Sequence, residues 1–238
     1  MPSNGCASVL HLGGMSAVSR VLRNPQYRLY MAGQFFALSG VWMRSIALSW
    51  LVYRMTHSAF WLGFATFCMQ VPAFIFSPLA GAVADRFERR RILLVTQWLA
   101  MATTLVLALM VFEDRFALWA VLLLSVWLGI VNAFDITARH SISVDLVARE
   151  DLSGAISLSS IMMHGTRVIG PGLAGVLIGS VGEAWCFVIC AMGYVTTIVA
   201  LSLLRSKPAP AEHSDESVLG AITDGLRYAA GDPYICLL

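Results

Sequence analysis

Apolar and polar positions fall in long blocks along this chain, not in the short alternations of a soluble domain. Six apolar blocks, at 29–53, 59–80, 92–112, about 116–136, 155–178 and 184–204, are separated by short polar gaps. A helix needs about 20 mostly apolar residues to cross a bilayer, so each block predicts one spanning helix. Pro72 and Pro78 interrupt the second block and Pro171 the fifth. Neighbouring helices can satisfy the carbonyls that such prolines free. Residues 1–28 read as a polar N-terminal segment and 205–233 as a linker that ends in a short amphipathic helix. Residues 234–238 read as the start of a seventh apolar span.

Charge orients this pattern. Twelve basic residues (Arg20, Arg23, Arg28, Arg86, Arg89, Arg90, Arg91, Arg139, Arg149, Arg205, Lys207 and Arg227) fall at one end of the predicted bundle, against Arg54 and Arg115 at the other. Cytoplasmic loops carry the excess of arginine and lysine, which predicts both termini inside. Composition agrees with a membrane class: 58% of residues are hydrophobic and 13% charged, where a soluble domain carries about 25% charged residues. The first apolar block is too long for a cleavable signal h-region. The five cysteines show no metal or disulfide spacing.

The loop between the second and third blocks is the most specific stretch. Gly81, Asp85, Arg86, Arg89 and Arg90 give the pattern Gly-x-x-x-Asp-Arg-x-x-Arg-Arg, with Gly81 expected to mark the end of the helix. This resembles the signature between spans 2 and 3 of the major facilitator superfamily of secondary transporters. Further stretches are similar to the enterobactin-exporter-like branch of that superfamily: Asn24-Pro25-Gln26-Tyr27-Arg28, Gly40-Val41-Trp42-Met43, Trp50-Leu51-Val52-Tyr53, Asn132-Ala133-Phe134-Asp135, Arg167-Val168-Ile169-Gly170-Pro171 and Gly225-Leu226-Arg227-Tyr228. The resemblance runs from about Asn24 onward and matches the N-terminal half of a twelve-span protein. It implies an all-α integral membrane fold of six transmembrane helices, built as two inverted three-helix repeats. It also implies a multi-pass location in the bacterial inner membrane, alternating access, and a loop in which Asp85 holds two halves together at the cytoplasmic side.

Polar residues inside the spans are candidates for substrate binding or coupling. Arg44 lies near the middle of the first span, where an arginine costs about 3 kcal/mol on insertion scales. A cavity site and a structural pair inside the bundle are both open readings for it. His164 and Arg167, three residues apart, share a helix face near the middle of the fifth span. His164 is a candidate for proton coupling or a neutral interhelical hydrogen bond. Gln34, Gln70 and Asn132 are further candidates for lining a cavity. Asp135 is the candidate gating partner, with Arg86 or Arg89 as its counterion; a solvated helix end is the simpler reading. Gly170, Pro171 and Gly175 resemble the helix-bend motif of exporters in this superfamily, with altered spacing. The arginine and glutamine-glycine signature of proton-coupled members is not visible in the fourth span.

The pattern calls for no metal or organic cofactor; a proton gradient is the driving force that the resemblance implies. Expected partners are the lipid bilayer, a small-molecule substrate and a second six-helix half. Nothing points to nucleic acid. No His-Glu-x-x-His, Gly-x-Ser-x-Gly or nucleotide-binding loop is present, so enzyme and ATP-driven readings are set aside. Two readings stay open: an exporter of small organic molecules such as siderophores or drugs, and a non-transporting remnant or membrane partner of a complete transporter.

Overall fold

The structure is a computed structural model, and it describes residues 20–204 apart from 22, 116 and 148–150. The predicted linker, amphipathic helix and seventh apolar stretch lie outside the described residues. Among those described there are six long helices and no strand: α1 (Pro25–Thr56), α2 (Ala59–Arg86), α3 (Arg89–Phe112), α4 (Leu118–Asp145), α5 (Leu152–Ser180) and α6 (Glu183–Leu203). All six are long and apolar enough to cross a membrane.

Local chemistry sets the ends that hydropathy alone missed. α1 starts four residues before its apolar block because Asn24 caps it. The Asn24 side chain accepts from the N–H groups of Gln26 (3.0 Å) and Tyr27 (3.5 Å). Pro25 follows at the first helical position, where its missing N–H costs nothing. His57 closes α1 in the left-handed conformation (φ 48°). The tight turn from α5 to α6 uses Gly182 at φ 93°, a conformation that side-chain-bearing residues rarely adopt. The expectation that the second helix stops at Gly81 is corrected. α2 continues through Gly81 and Asp85 to Arg86, because nothing in Gly81–Arg86 breaks a helix and the extended backbone begins only at Phe87. The loop itself is Phe87 and Glu88.

α1 packs against α6 and α5, α3 against α6 and α4, and α4 against α2. Exchanging α1 with α4, α2 with α5 and α3 with α6 maps this set of packed pairs onto itself, with α3–α6 as the pair that stays in place. The bundle is therefore two three-helix repeats. They are inverted, because the second turn of α1 meets the last turns of α4: the Tyr30 hydroxyl donates to the Arg139 carbonyl at 3.3 Å.

Close packing depends on small residues, as expected where lipid supplies no hydrophobic drive between helices. Gly33 and Gly40 on α1, seven residues apart, face Ala200, Thr197 and Cys190 on α6, and Gly193 faces the Phe36 carbonyl. The Thr197 hydroxyl donates to the Gly33 carbonyl at 3.0 Å. Ala47, Leu51, Leu107, Leu128 and Phe187 fill the main core. Tyr27, Tyr30, Leu93, Ala138 and Leu201 form a second cluster toward the arginine-rich end. By contrast, α2 and α5 leave Phe60, Phe67, Phe74, Ile161, Val168 and Val176 uncovered.

At the end away from the arginine-rich loop, Arg54 pairs with the buried Glu183 at 2.8 Å. The pair ties the last turn of α1 to the first turn of α6. Each charge also sits at the helix end that its sign favours. Arg54→Ala is expected to cost about 1–3 kcal/mol, between the values for exposed and buried pairs, and Glu183→Gln less. Thermal unfolding in detergent checks this; an unchanged midpoint for Arg54→Ala would make the pair incidental.

Candidate functional site

Three polar zones can be built from these helices. The first is a layer buried between α1, α3 and α4. Asp135 is only 7% exposed. It accepts from Gln97 Nε2 at 2.6 Å and from Arg139 Nη2 one turn away, and Thr96 Oγ1 lies 3.2 Å from it. The Thr96 hydroxyl also lies 2.9 Å from the Leu93 carbonyl, so its single proton serves one acceptor at a time. The contact of Tyr30 with Arg139 puts Gln34, one turn along α1, at the level of Asp135. Gln34 is 1% exposed, and among the described residues neither of its amide atoms has a hydrogen-bond partner; Gln97 Oε1 also has none there. The expected pairing of Asp135 with Arg86 or Arg89 is thus replaced by an internal one. Asp135 lies more than a turn inside the bundle, where Thr96, Gln97 and Arg139 surround it.

The second zone is Arg44. It is 5% exposed, and Nη1 donates to the Tyr194 hydroxyl at 2.9 Å and to Thr104 Oγ1 at 3.4 Å. Those partners belong to α6 and α3, so Arg44 points into the bundle core. It forms no ion pair with a carboxylate among the described residues. Tyr194 and Thr104 were not singled out from the sequence. A tyrosine and threonines inside apolar spans were the available signal.

The third zone lies on the uncovered side of α1 and α5. The Arg167 guanidinium sits 5.2 Å from the centroid of the Trp42 indole. Both Arg167 and His164 are exposed, and they are near the middle of α5. Gly170 makes this contact close: a side chain there would meet Trp42 Cβ and the Ser39 carbonyl oxygen. Pro171 lacks an N–H, so the Arg167 carbonyl loses its helical donor. The helix nonetheless runs unbroken through Pro171, and Gly175 faces open space. Gln70 is exposed on α2 and Asn132 half-buried on α4, each within a turn of the contact between Gly129 and Met69. They are not brought together with Arg44, His164 or Arg167 by any hydrogen bond.

At the arginine-rich loop, Asp85 and Arg86 are exposed and Arg89 and Arg90 half-buried. Arg91 pairs with Glu88 at 2.7 Å. Arg90 reaches across to α6 and donates to the carbonyls of Leu201 (2.8 Å) and Ser202 (3.1 Å). Its charge thereby caps the negative end of that helix dipole. Asp85 makes no hydrogen bond or ion pair among the described residues.

A family profile described as transmembrane secretion effector, of the major facilitator type, matches residues 16–236. The chain belongs to this family. It is 28% identical to the enterobactin exporter of Citrobacter koseri over 221 residues, which is 92% of this chain and 52% of that protein. It is 27% identical to the staphyloferrin A transporter of Staphylococcus aureus over 181 residues, 76% of this chain and 46% of that protein. The chain therefore spans about half the length of the curated relatives it matches. No solved structure matches. These relatives are transporters and not enzymes. Bacterial exporters among them, together with six apolar helices, make this a multi-pass protein of the bacterial inner membrane.

Proposed function

We propose that this chain forms the N-terminal half of a secondary exporter of small organic molecules such as siderophores or drugs. It works by alternating access against a second six-helix half, with the arginine-rich end in the cytoplasm and a proton gradient as driving force. One observation carries the reading: Arg167, near mid-span, lies on a helix face that this bundle does not cover. A charge at that depth faces a water-filled cavity or another protein, not lipid. The uncovered sides of α1 and α5 are then the transport path, and Gln70, Asn132 and His164 are candidates for its walls. Arg44 holds α1 to α3 and α6 from behind. Asp85, exposed beside the loop and unpaired among the described residues, is free to meet the second half.

The test is siderophore release. A bacterium that makes enterobactin but lacks its own exporter would express the chain, alone and together with a C-terminal six-helix half from a relative. Restored release in either case supports export, and Asp85→Asn should then lower release at equal protein level. No release above an empty vector in both cases would leave the chain a non-transporting membrane protein.

A further inference from the structure

We propose that the stripe formed by Trp42, His164 and Arg167 binds an anionic aromatic molecule. Its carboxylate or phenolate meets the Arg167 guanidinium and its ring stacks on the Trp42 indole. The proposal rests on the exporter reading for its biological sense, but its evidence is separate. Away from the helix ends, the six spans carry three arginines, Arg44, Arg139 and Arg167, against one carboxylate, Asp135. Asp135 is taken by Arg139. Arg44 is enclosed and held by two hydroxyl groups. Arg167 alone is both uncompensated among the described residues and reachable from outside the bundle.

This arrangement discriminates by charge. A cation in the stripe meets the like charge of Arg167. A neutral ring gains the indole face but leaves the guanidinium without an anion. An aromatic anion satisfies both. The geometry also favours a flat ligand. Arginine already lies over the half-buried indole, so one planar ring can contact the open part of the indole while its acid group takes the planar fork of N–H donors. Gly165 and Gly172 have nothing within 4 Å of where a side chain would start, which leaves room along α5 beside His164. Arg167→Lys would keep the charge and lose the fork.

The experiment is calorimetric titration of the whole chain in lipid nanodiscs, with empty discs as the partition control. Three probes of one shape are used: 1-naphthoate, neutral 1-naphthamide and 1-naphthylmethylammonium. The expected result is saturable naphthoate binding, at least tenfold weaker amide binding, and ammonium binding no greater than in empty discs. Arg167→Gln should weaken naphthoate at least tenfold, and Trp42→Leu should reduce the loss of protein fluorescence on naphthoate addition. The charge preference is read on the unmodified chain, so it survives a variant that fails to fold. Equal binding of the three probes, preference for the ammonium, or no saturable binding would overturn the proposal. So would tight naphthoate binding by a folded Arg167→Gln protein. Arg167-dependent naphthoate binding without siderophore release would leave this site standing and remove the export reading. Restored release without an anion preference would do the reverse.

Discussion

Asp135→Leu is expected to destabilise the bundle by about 3–5 kcal/mol, the range for removing one partner of a buried ion pair. The substitution leaves the Arg139 guanidinium without its carboxylate and removes the acceptor of Gln97, whose own carbonyl already lacks a partner. It also frees Thr96 to donate only to Leu93. Asp135→Asn should cost less, because an amide oxygen can still accept from Gln97 while only the charge is lost. The double variant Asp135→Leu, Arg139→Leu should recover much of the loss, since removing both charges also removes their desolvation cost. Equilibrium unfolding in mixed detergent micelles reads all three. If Asp135→Leu unfolds within about 1 kcal/mol of the parent, the layer is no more than the weak hydrogen bonding typical of membrane interiors.

Hydropathy made six spans legible because a bilayer imposes one length on every crossing. It gave the ends of the helices less well. Gly81 reads as a stop in sequence, yet a glycine can remain helical when its neighbours do, and α2 passes through it to Arg86. Asn24-Pro25 carried a capping signal that block counting ignored. The inverted repeats came from resemblance, and only the closed set of helix pairs makes them visible in this chain itself.

The polar residues show the sharper limit. Arg44 and Arg167 look alike in sequence, each a lone arginine near the middle of an apolar helix. Their difference lies in which helices stand beside them. Arg44 projects toward α3 and α6, where Thr104 and Tyr194 receive it. Arg167 projects beside α1 on an uncovered side. Helical periodicity cannot supply that distinction, because it fixes the face of a helix and not its neighbour. The same is true of Asp135. Its position near a span end suggested the loop arginines, but the decisive partner was Arg139 on its own helix, reinforced by Gln97 from α3.

The glycines extend this lesson into a second large effect. Gly129→Ala is expected to loosen α2, while Gly172→Ala is expected to leave the fold intact. A methyl group on Gly129 falls on the Met69 carbonyl oxygen and 3.0 Å from its carbonyl carbon. The obstacle is backbone, so no rotamer change relieves it, and the α2–α4 contact must open. Overpacking of this kind costs about 1–3 kcal/mol or more. Because α4 is the principal neighbour of α2, the cost falls on one seam. At Gly172 a side chain meets nothing within 4 Å, and alanine gains up to about 1 kcal/mol in helix propensity over glycine. Melting midpoints in detergent should therefore move in opposite directions. A cysteine pair across α2 and α4 should crosslink less in Gly129→Ala and unchanged in Gly172→Ala. Equal melting and equal crosslinking for the two variants would mean that α2 is not held by its contact with Gly129, and that the seam accommodates a methyl group by sliding.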